Sequence, residues 1–172
     1  MIGKKLALAC LLFVSCSETE QVRVQKYYDV QGFFGAETKR LEKQGATVTK
    51  TVSRNDVSET KSSFSPAWAT ELALFTDSDI NKPAWRDSYK IESDSLSTSY
   101  TALDDELRTK SLVIKKNNKG KLIEISIVNS TSNYLYNSTE ELHYFPDSLY
   151  RMVKKQDVIL LGKNNYEIVG IF

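Results

Sequence analysis

The sequence predicts an α+β fold: a curved antiparallel β-sheet, half-barrel or near-closed, covered by two amphipathic helices. Three observations predict it. Two stretches in the first half carry apolar residues at helical spacing. From residue 88 to the end, short runs rich in β-branched and aromatic residues follow one another. The links between those runs are short turns, which favours antiparallel neighbours.

The chain opens with Lys4 and Lys5, an apolar run over 6–14 and a small residue, Ser15, ahead of Cys16. A positive segment, an apolar core and a small-residue processing site are the parts of a secretory signal. The run is too short to cross a bilayer, which takes roughly 20 apolar residues. Leu12-Phe13-Val14-Ser15 resembles a lipobox, with Phe13 where Leu is commonest, and Cys16 stands at its cleavage point. The expected organisation is a lipoprotein signal peptide over 1–15, a lipidated polar tether over 16–26 and one domain over 27–172. Cys10 leaves with the signal, so Cys16 is the one cysteine kept, and no intramolecular disulfide can form. Two or three acyl chains on Cys16, at about 0.8 kcal/mol per buried methylene, hold a protein on a membrane.

Asp29 to Gln44 reads as the first helix. Val30, Phe33, Phe34 and Leu41 share a face, Asp29 is the N-cap and Gly45 the stop. A hairpin follows, 46–52 and 57–64, with turn chemistry at Ser53-Arg54-Asn55-Asp56. Ser65-Pro66 predicts a second helix with Ser65 as N-cap and Pro66 in its first turn. Trp68, Leu72 and Phe75 form its stripe, and Asp77-Ser78-Asp79 ends it in a solvated turn.

Strands are then expected over 88–93, 97–103, 109–116, 122–129, 133–136, 140–145, 148–155, 158–161 and 166–171. Asn117-Asn118-Lys119-Gly120 is the clearest hairpin turn. The lysines around it (Lys115, Lys116, Lys119, Lys121) read as solvated turn residues. Ile123, Ile125 and Ile127 alternate with Glu124 and Ser126, the period of a sheet with one buried face.

Asp79 to Tyr89 and Gln156 to Gly170 resemble stretches of small uncharacterised lipoproteins of the Bacteroidota. That resemblance covers most of the chain after Cys16 and implies an outer-membrane lipoprotein without implying an activity. Glu18 and Glu20 are similar to the acidic tag that sends such lipoproteins to the cell surface; a plain polar spacer fits them equally. The predicted architecture also resembles the half-barrels that carry or accept lipoproteins, a likeness of fold alone.

Chemistry is sparse. With 23 Lys and Arg against 22 Asp and Glu, no basic excess points to nucleic acid. His143 is the only histidine; between Leu142 and Tyr144 it reads as a satisfied strand residue rather than a base. One histidine and a lipidated cysteine do not make a zinc set. Neither Asp77-Ser78-Asp79 nor Asp104-Asp105-Glu106 has the spacing of a calcium loop. No metal and no cofactor is expected. Asn129-Ser130-Thr131 and Asn137-Ser138-Thr139 match the glycosylation acceptor pattern and read as turns. Trp85-Arg86-Asp87-Ser88-Tyr89 is the one stretch offering a ligand-binding edge, through Trp85, Arg86 and Tyr89. An Arg86–Asp87 structural ion pair is the alternative.

The expectation is a non-enzymatic binding or accessory lipoprotein, anchored to the outer membrane through Cys16 and meeting an envelope protein. The alternatives are a carrier of an apolar ligand between sheet and helices, and an unrecognised hydrolase. Whether Phe33, Phe34, Trp68 and Phe75 fill that space separates partner binding from carriage.

Overall fold

A computed structural model describes residues 25–55, 57–160 and 162–172. The signal segment, Cys16 and the tether up to residue 24 lie outside the described residues.

Helix α1 (Val30–Lys43) begins where the sequence predicts. The Asp29 carboxylate accepts from the Gly32 amide at 2.8 Å. It ends in a Schellman turn, with the Ala46 amide donating to the Leu41 carbonyl and the Gly45 amide to Glu42, both at 3.0 Å. Strands β1 (Val48–Arg54) and β2 (Val57–Phe64) form the expected hairpin. The second helix departs from expectation. Ala67, not Ser65, occupies the N-cap, in an extended conformation and with no side-chain cap. Two single turns follow, α2 (Trp68–Glu71) and α3 (Ala73–Thr76), broken at Leu72. Pro66 sets the entry but leaves no capping hydroxyl at residue 67, so these turns depend on the burial of Trp68, Leu72 and Phe75 and on Glu71, which Tyr150 and Lys50 hold.

A 3₁₀ turn over Pro83–Trp85 leads into β3 (Tyr89–Ser93), β4 (Ser97–Ala102), β5 (Thr109–Lys116), β6 (Leu122–Asn133), β7 (Tyr136–Phe145), β8 (Leu149–Val158) and β9 (Gly162–Ile171). All nine strands join one antiparallel sheet in the order β2-β1-β9-β8-β7-β6-β5-β4-β3. β3 to β9 form a meander, and β1 closes onto β9 with Thr51 opposite Val169. The sheet is curved and not closed, with β2 and β3 as its edges.

Three sequence expectations shift here. Residues 133–136 are not a strand: Tyr134 and Leu135 form the tip between β6 and β7. Residues 159 and 160 are the next tip, since β8 runs on to Val158. The two acceptor-like triplets lie in strands rather than turns, and Asn129 is buried. Ile123, expected to face the core with Ile125 and Ile127, is 45% exposed: the β5–β6 register shifts between Lys115 and Lys116, leaving Ile123 unpaired, and Leu122 packs against the core instead.

The helices lie on the concave face. Phe34 stacks on Phe75 at 4.9 Å and meets Tyr144 edge-on at 5.1 Å. Trp68, Leu72, Phe75, Leu142, Tyr144 and Tyr150 are all buried around them. Of the four side chains that decide the question, Phe34, Trp68 and Phe75 are fully enclosed and Phe33 packs against them from the margin. The space between helices and sheet is filled.

Candidate functional site

Three places hold polar chemistry, and each follows from strand register. The first is on the convex face, where β6 and β7 set Ser126 opposite His143. The Ser126 hydroxyl donates to Glu124 Oε1 at 2.5 Å and lies 3.1 Å from His143 Nδ1. The same carboxylate oxygen is 3.2 Å from that Nδ1, and Lys115 reaches Oε2 at 2.8 Å. Burial pushes the Glu124 carboxyl up. Hydrogen bonds from Lys115, Ser126 and His143 outweigh it and bring the group down to about 2.

This is a serine, a histidine and a carboxylate in contact, yet they do not make a nucleophilic triad. A triad relays a proton across the imidazole, with serine on one ring nitrogen and carboxylate on the other. Here both use Nδ1, and the serine donates straight to the carboxylate. Ser126 also sits within a regular ladder, where its backbone pairs with β5 and β7 instead of forming an oxyanion hole.

The second place is on the concave face beside α3. Glu140 accepts from Arg108 at 2.8 Å and from Lys154 at 2.9 Å. Asn129 donates to the Ser78 hydroxyl at 2.9 Å and accepts from Thr109 at 3.0 Å. Burial raises the Glu140 carboxyl, but its bonds to Lys154 and Arg108 prevail and hold it below its ordinary range. Ser78 and Asp79, expected in a solvated turn, are buried at the margin of this cluster. Next to it the Ser138 hydroxyl is buried with no hydrogen-bond partner among the described residues.

The third place is the flank of the concave face that no helix covers. Val52, Arg54, Asn55, Val57 and Glu59 line a groove of about 450 Å³. Arg54 is held over the Tyr166 ring at 5.6 Å and donates to Asn164 at 3.1 Å. Val52 is 40% and Val57 70% exposed.

The residues singled out in the sequence do not converge. Tyr89 points into the core, where its hydroxyl donates to the Thr109 carbonyl at 2.9 Å. Trp85 is half-buried under the Lys82 ammonium, 4.2 Å from its ring. Arg86 is exposed, and Asp87 pairs with Lys26 at 2.6 Å. The Tyr27 hydroxyl ties this segment down by donating to the Arg86 carbonyl at 2.6 Å. No trio of metal-ligating side chains occurs among the described residues.

Sequence reading missed the Glu140 cluster, because its members come from five separate segments. The pairing of Ser126 with His143 was within reach. Placing the tip at Tyr134-Leu135 fixes every β6–β7 partner, and expecting a strand there hid it.

No protein-family model, curated protein or solved structure matches the chain.

Proposed function

We propose that the chain is an accessory lipoprotein of the outer membrane, anchored through acylated Cys16, that binds an envelope protein on the open flank of its sheet. The observation carrying this reading is the contrast between a filled interior and an uncovered flank. A carrier needs room between sheet and helices, and Phe34, Trp68, Phe75 and Tyr144 occupy it. The hydrolase reading draws no support from Ser126, His143 and Glu124, whose hydrogen bonds meet at one ring nitrogen.

The flank has the makings of an interaction surface. It offers apolar Val52 and Val57 amid the charges of Arg54 and Glu59, and an edge strand, β2, exposed over most of its length. Edge strands can add a partner's strand through their unpaired backbone groups.

Photo-crosslinking residues placed at Val52 and Glu59 of the full chain in its own host test the reading. One dominant protein adduct at those two positions, absent from Thr60 on the opposite face, is expected. The same weak background at all three positions overturns it.

A further inference from the structure

The two rims of the sheet differ in a way that neither the flank nor the core requires. Among the described residues, the large apolar side chains more than about 60% exposed are Val57, Leu103, Tyr134, Leu135, Ile159 and Leu160. All six lie at one rim, in the connections β1–β2, β4–β5, β6–β7 and β8–β9 or at their margins. The opposite rim, formed by β3–β4, β5–β6 and β7–β8, carries mainly charged and small turn residues such as Asn118, Lys119 and Asp147; its exposed apolar side chains, Leu96, Ile123 and Ile171, are 42–56% exposed and belong to separate strands or turns.

The most exposed of the six stand side by side. Tyr134 is 90% and Leu160 91% exposed, and the Ile159 amide donates to the Leu135 carbonyl at 3.2 Å, joining the two hairpin tips. β6 runs four residues past Asn129, the partner of the first residue of β5, so this pair of tips projects beyond the neighbouring strands.

The N-terminal segment leaves from the same rim. Lys26 pairs with Asp87 and Tyr27 is bound to the carbonyls of Trp85 and Arg86, immediately ahead of β3. β3 starts at Tyr89 opposite Ala102, the end of β4 that shares this rim. Residues 17–25 span at most roughly 30 Å when extended. A membrane anchor at Cys16 would therefore hold this rim, and not the polar one, towards the lipid.

From these observations we infer that the rim is a lipid-facing surface: the Tyr134-Leu135 and Ile159-Leu160 tips insert into the headgroup and upper acyl region of the bilayer that holds the anchor. The inference rests on the anchored reading above. Short apolar tips with a tyrosine suit that boundary, where one end of the side chain is wet and the other apolar. With the rim seated, the strands stand off the membrane and the open flank stays clear for a protein partner.

The test uses the full chain purified from membranes and reconstituted into phosphatidylethanolamine–phosphatidylglycerol vesicles, with and without brominated acyl chains. In a Trp85→Phe background, which leaves the fully buried Trp68 as the one native tryptophan, a tryptophan is placed at the tip (Leu160→Trp) and at the opposite rim (Lys119→Trp); both of these positions are exposed, so folding is not at stake there. The expected result is a blue-shifted Leu160→Trp emission that bromine quenches about twofold, and no quenching in Lys119→Trp. Equal quenching of the two variants overturns the inference. So does a blue shift without quenching accompanied by a doubled mass, which would put a second copy on the tips. Intact mass checks the anchor separately. If Cys16 carries no acyl chains the anchored reading falls, and the same comparison is then run on the chain coupled through the Cys16 thiol to maleimide-headgroup lipid.

Discussion

Gly45 sits just past the last turn of α1 with φ +58°, a conformation in which a Cβ crowds the following carbonyl. Nothing else stands within 4 Å of the place a Cβ would occupy, so a substitution there meets backbone strain alone. Gly45→Ala should lower stability by about 1–2 kcal/mol, and Gly45→Asn by less, because asparagine tolerates the left-handed region. Urea denaturation followed by circular dichroism checks this: the midpoint should fall with an unchanged slope. An alanine variant as stable as the parent would mean that the Schellman turn does not hold α1 in place. Gly170 is the contrasting case, since an added Cβ would come within 2.1 Å of the Tyr150 ring. The ring lies over that glycine and is fully buried, so it cannot step aside into solvent.

At the scale of elements, two tyrosines join the helices to the sheet. Tyr144 on β7 donates to Glu37 of α1, which also holds Arg40, and Arg40 reaches Asp147 at 2.9 Å. Tyr150 on β8 donates to Glu71 of α2 at 2.5 Å, and Lys50 of β1 pairs with the same carboxylate at 2.6 Å. Gly170→Ala therefore acts beyond its own strand, because displacing Tyr150 also frees Glu71 and the short helix α2. A loss of about 2–4 kcal/mol is expected, overpacking plus the hydrogen bond to a charged group. Tyr150→Phe, which keeps the ring and drops the hydroxyl, should cost less; equal losses in a thermal melt would refute the ring clash. Much of this level was legible in the sequence. The alternation of Ile125 and Ile127 with polar neighbours follows from the pleat, and the Asp29 and Gly45 boundaries from cap chemistry. The short helices were not, because Ser65-Pro66 imitates a start that Ala67 does not supply. Nor was the Glu140 cluster, since Arg108, Asn129, Glu140 and Lys154 come together through sheet register, which local sequence does not report.

For the molecule as a whole, the open sheet leaves two edges and a curved face that, among the described residues, α1, α2 and α3 cover in part. The edges carry charge, Glu59 and Lys61 on β2 and the Lys90–Glu92 pair on β3, which discourages edge-to-edge association of copies. The carboxylates that cross-link the sheet make its stability depend on pH. Glu37, Glu124 and Glu140 are each held below their ordinary range, against the upward push of burial, by hydrogen bonds from Arg40 and Tyr144, from Lys115, Ser126 and His143, and from Lys154 and Arg108. A carboxyl lowered on folding binds fewer protons folded than unfolded, so its contribution is full above the unfolded value of 4.5. That contribution is lost as pH falls through the folded value, down to about 2 for Glu124. The melting temperature should thus be level above pH ~5 and decline steadily towards pH ~2. Glu140→Gln separates this linkage from general acid unfolding. At neutral pH it should cost about 2 kcal/mol, less than a fully buried pair because solvent reaches Arg108 and Lys154. Between pH ~5 and ~2 its melting temperature should fall less steeply than the parent's, because one of the three linked protons is gone. An acid slope identical to the parent's would show that Glu140 is not held down in the folded sheet.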